Sequence, residues 1–163
     1  MANGYTKTNE NCYFRARKNA SAYNEKLCSR EGAAELLDLS VSTLADYELG
    51  ITKVVPVDKV VKMAELYNCP ELKACYCKNE CPIGKEYPLA TSTQGIEGAA
   101  LRLLNNLEQE GIKQLATGIM RIALDGIISE DEKPEMEVIL KKLDEMALAI
   151  SEMKLIGVKA LRE

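Results

Sequence analysis

Four cysteines, Cys69, Cys75, Cys77 and Cys81, fall within thirteen residues in the spacing C-x5-C-x-C-x3-C. Thiolates are soft donors, so such a cluster is a candidate ligand set for zinc or an iron–sulfur group. The spacing lacks the C-x2-C pairs of the common zinc sites. Cys77 and Cys81 stand one helical turn apart and could share a metal or oxidise together. The same residues also serve as buried thiols, since a free Cys packs as a small hydrophobe. Packing is the favoured use, so no cofactor is expected; if a metal binds, these four are its candidate ligands. Cys12 and Cys28 lie far off in sequence and add little to the cluster.

The chain contains no His. That excludes a His base and His–metal sites. A Gly-rich phosphate loop, a nucleophile elbow and a recognisable carboxylate pair are also missing. No enzymatic activity and no catalytic residue are therefore expected. No apolar run approaches the roughly 20 residues of a membrane span. The N-terminal MANGYTKTNENCYFRARK lacks a signal peptide's apolar stretch. A cytoplasmic protein without membrane contact is the expectation.

The elements that organise the rest lie in Ser29–Gly50, SREGAAELLDLSVSTLADYELG. Ser29 is placed to N-cap a helix whose apolar residues are Ala33, Ala34, Leu36 and Leu37. Asp38 follows where the chain must turn, and Asp tolerates the left-handed conformation better than most residues. Ser40 is a second N-cap. Leu44 and Tyr47 share a face of the next helix, and Gly50 is placed to end it. Two short helices across a tight turn are the requirement of a helix-turn-helix.

The segment resembles the helix-turn-helix of the Cro/C1-type (XRE) repressor family over about residues 13–69. Ser29, Glu31, Ala34, Glu35, Leu37, Ser40, Ser42, Thr43, Leu44, Tyr47, Glu48 and Gly50 fit that pattern identically or conservatively. Arg30 stands at a usual Gln, Asp38 replaces the turn glycine, and Asp46 occupies a commonly basic or polar position. The phrase ECPIGKE is similar to a Gram-positive subgroup in which a helical tail follows. The resemblance implies a recognition helix over Val41–Leu49 whose first turn enters the major groove. Val41, Ser42, Thr43 and Asp46 would then face bases, with Ser40 at the cap. Arg15, Arg17 and Lys18, together with Arg30, would lie on phosphates. Hydroxyls meet base edges or phosphates, Val41 suits a thymine methyl, and Asp46 suits a cytosine amino group.

Charge runs against an easy DNA reading. The chain's formal net charge is −4. Residues 1–28 carry five Lys/Arg against two Asp/Glu, whereas residues 29–69 carry four against seven. A DNA reader ordinarily shows a basic footprint, because phosphate neutralisation dominates affinity.

Around the motif, residues 1–11 are polar, and CYFRARKNASA (12–22) suits a first helix. After the loop ITKVV, Pro56 opens a helix with Val57, Val60, Val61, Ala64 and Leu66, expected to close at Tyr67 or Asn68. Pro82, Gly84, Pro88 and Gly95 mark a linker. Thr91 with Gln94 has capping-box spacing. Ile96, Ala99, Ala100, Leu103, Leu104 and Leu107 form one apolar stripe, with a kink or break at Gly111. Ile112 to Leu124 continues it, and Asp125-Gly126 reads as a turn. DGIISEDE lacks the ligand alternation of a calcium loop and is read as a helix connection with a Ser129–Glu132 capping pair. Met136, Ile139, Leu143, Met146, Ile150, Met153, Gly157 and Ala160 step by three and four, a heptad seam that must be buried.

The expected architecture is all-α. A lambda-repressor-like helix-turn-helix domain spans 12–69, a cysteine segment and linker 70–91, and a helical hairpin or three-helix tail 92–163. The expected function is a sequence-specific regulator of double-stranded DNA, dimeric through its C-terminal helices. The alternatives are a protein-interaction adaptor on the same scaffold and a cysteine-based redox or metal switch.

Overall fold

A computed structural model describes residues 11–93, 95–124 and 126–161. Sequence expectations that fall partly outside them include the polar stretch before Asn11, the Gln94 half of the Thr91 capping pair, and the Asp125 that opens both the Asp125-Gly126 turn and the DGIISEDE run. The described residues form eight α-helices and no strand. They are α1 (Cys12–Ala20), α2 (Arg30–Leu37), α3 (Val41–Leu49), α4 (Val57–Leu66), α5 (Glu71–Asn79), α6 (Ile96–Asn106), α7 (Gln109–Ile122) and α8 (Lys133–Ala160). Short 3-10 turns lie at Glu25–Cys28 and Gly84–Glu86. The chain is therefore all-α. It divides into a first unit through Glu86 and a second over Tyr87–Gly157, with the residues after Gly157 grouped with the first.

In the first unit each boundary has a local cause. Asn11 caps α1, its side-chain oxygen accepting from Tyr13 N at 2.9 Å and Phe14 N at 3.3 Å. Ser29 caps α2 through Gly32 N at 3.1 Å, and Ser40 caps α3 through Thr43 N at 3.0 Å. Such caps satisfy amides that have no partner inside the helix. Asp38 stops α2 in the left-handed region at φ 54°, and Gly50 stops α3 at φ 69°. The Leu39 amide then closes on Ala34 O at 3.0 Å, as a Schellman-type ending requires. Pro56 precedes α4, where its missing N–H is harmless.

The core gathers Tyr13, Ala16 and Ala20 from α1, Leu27 from the 3-10 turn, Ala33, Ala34 and Leu37 from α2, and Leu44 and Tyr47 from α3. Val55 from the loop after α3, then Val60, Met63 and Ala64, with Tyr67 at the end of α4, complete it from one side, and Leu72 of α5 from the other. The segment set apart in the sequence as cysteines and linker thus begins as a helix of this unit. Leu72 and Cys75 of α5 are buried, and Cys69 and Tyr76 pack against the same core.

The second unit consists of α6, α7 and the part of α8 up to Gly157. The break after α6 falls at Leu107–Glu108 and leaves Gly111 inside the first turn of α7, not at the kink expected there. Arg102 of α6 binds Glu152 of α8 through Nε at 3.0 Å and Nη2 at 2.5 Å. Arg121 of α7 pairs with Glu135 of α8. Half of the expected capping box forms: Glu132 accepts from Ser129 N at 2.9 Å. The heptad seam on α8 is only partly covered. Ile139 is buried, whereas Leu143 and Ile150 are exposed.

Candidate nucleic-acid interface

α3 divides cleanly by face. Leu44, Tyr47 and Glu48 point inward, and Val41 and Ser42 lie open to solvent, with Thr43 and Asp46 partly exposed. The period of about 3.6 residues produces this split, because 44, 47 and 48 fall on one side of the helix. The Ser40 hydroxyl is heavily engaged. It caps Thr43 N and also lies 2.7 Å from Thr43 Oγ1 and 2.9 Å from Ser42 Oγ. Ser40 therefore sets the geometry of the first turn, and the Ser42 and Thr43 hydroxyls are preoriented by it.

Below this face α3 is clamped by charge. Arg17 of α1 donates from Nε to Glu48 Oε1 at 2.5 Å and from Nη2 to Oε2 at 2.9 Å. Arg17 is 2% exposed and Glu48 0%. Arg17 Nη1 also donates to Leu27 O at 2.9 Å and Cys28 O at 3.3 Å. Burial opposes the Arg17 charge, but the Glu48 hydrogen bonds and charge outweigh it and hold the pKa above its ordinary value. Phe14 adds its ring face, 5.6 Å from the guanidinium. Arg30 Nε of α2 completes the cluster at 2.7 Å from Glu48 Oε2.

This arrangement corrects the placement of Arg17 on phosphates. A guanidinium that is buried and fully committed to one carboxylate and two carbonyls has no face left for a nucleic acid. Arg15 is exposed. Lys18 is exposed too, with Nζ resting on Cys28 O at 2.9 Å. Arg30 is about a third open and shares its donors with Glu48. The charge count also changes meaning, since Glu48, one of the seven carboxylates of residues 29–69, is neutralised internally and presents nothing to solvent.

Two further contacts hold the far end of α3. Asn11 Nδ2 donates to Tyr47 O at 3.0 Å. Glu80, just past α5, accepts from Tyr13 Oη at 2.6 Å and from Val55 N at 2.6 Å, tying α1 to the loop after α3. Glu48 was visible in the sequence only as a match to the family pattern, and Glu80 only as the first residue of the phrase ECPIGKE, with no hint of its contacts, because the partners of each lie far along the chain.

The cysteine cluster does not assemble. Among the described residues no group of three His, Cys, Asp or Glu side chains is placed to hold a metal ion. Cys69, Cys75, Cys77 and Cys81 are thus not gathered as a ligand set. Cys75 is buried instead, its Sγ accepting from Asn79 Nδ2 at 3.2 Å. Cys69 is a poor thiolate, its pKa pushed up to about 12 by burial and by Glu71.

A family model described as helix-turn-helix matches residues 21–73. Residues 21–73 are a helix-turn-helix domain. The matched stretch is well under half of the chain; it takes in α2, α3 and α4 and leaves the Arg17-bearing helix outside. No curated protein and no solved structure matches the chain. No helix among the described residues is long and apolar enough to cross a membrane.

Proposed function

We propose that this chain is a sequence-specific regulator of transcription that binds double-stranded DNA as a homodimer. The observation that carries the reading is the open first turn of α3, Val41, Ser42 and Thr43 with Asp46, held rigid from beneath by the Arg17–Glu48–Arg30 cluster inside a helix-turn-helix domain. Val41 would contact a thymine methyl, the Ser42 and Thr43 hydroxyls would meet base edges or phosphates, and Asp46 would accept from a cytosine amino group. Arg15 and Lys18, with the free part of Arg30, would lie on the backbone. No Arg–guanine fork is available on this face, so affinity rests on few phosphate contacts and on two half-sites read together. Such a protein works beside the chromosome, in the cytoplasm, and needs no catalytic step.

Dimerisation is supported by the second unit's unfilled surface. Among the described residues the first unit buries sixteen hydrophobic residues, the second only Ala90, Ala99, Ile122, Ile139 and Ala149. So small a core does not hold about 70 residues by itself. Leu104 of α6, Met120 of α7, and Val138, Leu140, Leu143, Leu148 and Ile150 of α8 all stand exposed. A second copy supplies the same apolar faces in return, as an isologous two-fold interface does.

The test is selection of random duplex DNA by the purified protein at low and at physiological salt. A two-fold enriched motif is the expected result, and its half-site spacing would report the dimer. Absence of any motif at both salts, from folded protein, would overturn the reading. It would turn attention to an adaptor role, which the exposed carboxylates Glu31, Glu35 and Asp38 on and after α2 favour.

A further inference from the structure

The seam expected along α8 divides into two faces. One face turns inward. On it Glu135 pairs with Arg121, Ile139 lies against Gly118, and Glu152 binds Arg102. Ile139 and Ala149 are buried there, with Met146 and Met153 half-buried. The other face carries Met136, Leu140, Leu143, Ala147 and Ile150 and continues to Lys154. These positions step by four and three, the spacing of a coiled-coil stripe. Leu140, Leu143 and Ile150 stand 53%, 40% and 44% exposed. From Met136 to Lys154 the stripe runs for about five turns, roughly 27 Å.

Charge and volume select the occupant. Lys154 is exposed within the stripe and Glu137 is exposed on its flank; among the described residues neither has an ion-pair partner. Two copies of α8 laid antiparallel, with the two-fold axis level with Glu145, set unlike residues opposite each other. Leu143 meets Ala147, Leu140 meets Ile150, and Met136 meets Lys154. The middle layers pair a large side chain with a small one. Lys154 leans toward the flank that carries Glu137, so its ammonium reaches Glu137 of the partner subunit. The axis repeats the bridge. A parallel pairing sets each residue against itself instead. Ala147 against Ala147 leaves a gap, and Lys154 against Lys154 brings two ammonium groups together inside the contact. One charge in an apolar stripe fixes register and orientation in this way. Asp144 stands on the same flank near the axis, where the two carboxylates remain in water and cost little.

We propose that the outer stripe of α8 binds a second copy of this chain, antiparallel, in the register that sets Lys154 against Glu137 of the partner subunit. This pairing rests on the dimer proposed above; its orientation does not depend on DNA.

Full-length protein, reduced and free of DNA, is treated with a zero-length carbodiimide, and the dimer is mapped by peptide mass spectrometry. The reagent joins a carboxylate only to an amine already in contact with it. Glu137 and Lys154 lie seventeen residues apart on one helix, about 25 Å along its axis, so an amide between them joins two chains. That amide is the expected product. A Glu137–Lys141 link, between neighbours one turn apart in the same chain, shows that Glu137 reacts. Lys154→Glu should lower the association constant in sedimentation equilibrium by about tenfold, since each bridge becomes a repulsion. Glu137→Lys should do the same, and the two together should restore association. A dimer that yields the Glu137–Lys141 link but no Lys154–Glu137 amide would overturn the antiparallel pairing and leave the dimer standing. Association unchanged by Lys154→Glu would do so too. A wild-type protein that sediments as a monomer at every concentration would remove the dimer and this pairing with it. The amide map uses wild-type protein, so it decides the pairing whether or not a variant folds.

Discussion

Arg17 and Glu48 form a two-pronged ion pair, 2.5 Å and 2.9 Å, buried between α1 and α3. Removing one partner strands the other charge in the core. Arg17→Ala should therefore destabilise the first unit by about 3–5 kcal/mol in urea denaturation. Replacing both, Arg17→Met with Glu48→Met, should recover much of that loss, since an apolar pair leaves no charge unpaired between the helices. Arg30 then loses its partner, so recovery stays incomplete. Equal loss in the single and double variants would mean that packing, not charge, governs this position.

Gly32 lies where α2 crosses the 3-10 turn, and a Cβ built on it would collide with the Lys26 carbonyl. Backbone cannot step aside as a side chain can. Gly32→Ala should cost about 1–3 kcal/mol. Gly111, in the first turn of α7, meets nothing within 4 Å, and Gly111→Ala should stabilise by about 0.5–1 kcal/mol. Thermal unfolding of the two variants should move in opposite directions.

Burial and the hydrogen bond to Glu80 raise the Tyr13 pKa. The unfolded phenol ionises near pH 10 while the folded one keeps its proton, so this contribution is complete below about pH 10 and is lost as pH rises further. The stability advantage of wild type over Tyr13→Phe should be flat from pH 7 to 9 and narrow above 10. An advantage that grows above pH 10 would contradict the raised pKa.

Leu143 and Ile150 are seam positions left exposed on α8. Under the proposed dimer, Leu143→Glu with Ile150→Glu should convert it to a monomer in sedimentation velocity and abolish two-fold DNA binding while the first unit stays folded. A wild-type protein that sediments as a monomer at working concentration would remove the dimer from the proposal.

Arg15 and Lys18 are exposed, unlike Arg17. Charge reversal at Arg15 should weaken all DNA sequences alike and lower the salt slope by about 1. Ser42→Ala should instead alter preference among sequences. Identical effects from the two variants would remove the groove assignment of α3.

The helix-turn-helix was legible because everything that defines it is local. Ser29, Asp38, Ser40 and Gly50 act on amides within four residues, and the spacing of Leu44 and Tyr47 assigns the faces of α3 without reference to any other helix. The apolar stripes of α6 to α8 were legible for the same reason, though not the break at Leu107, where no Gly or Pro stands. Partners distant in sequence were not legible. Arg17 reads as one of three basic residues on a surface helix until Glu48 folds onto it, and a burial decision made by two helices cannot be read from either. Cys75 reads as one of four clustered thiols until α5 packs onto the core and buries it. The sequence by itself determined where helices begin, end and turn, since caps and periodicity are nearest-neighbour physics. Only the tertiary structure decided which charges stay in water and which thiols are buried, because desolvation and contact depend on what the rest of the chain brings alongside.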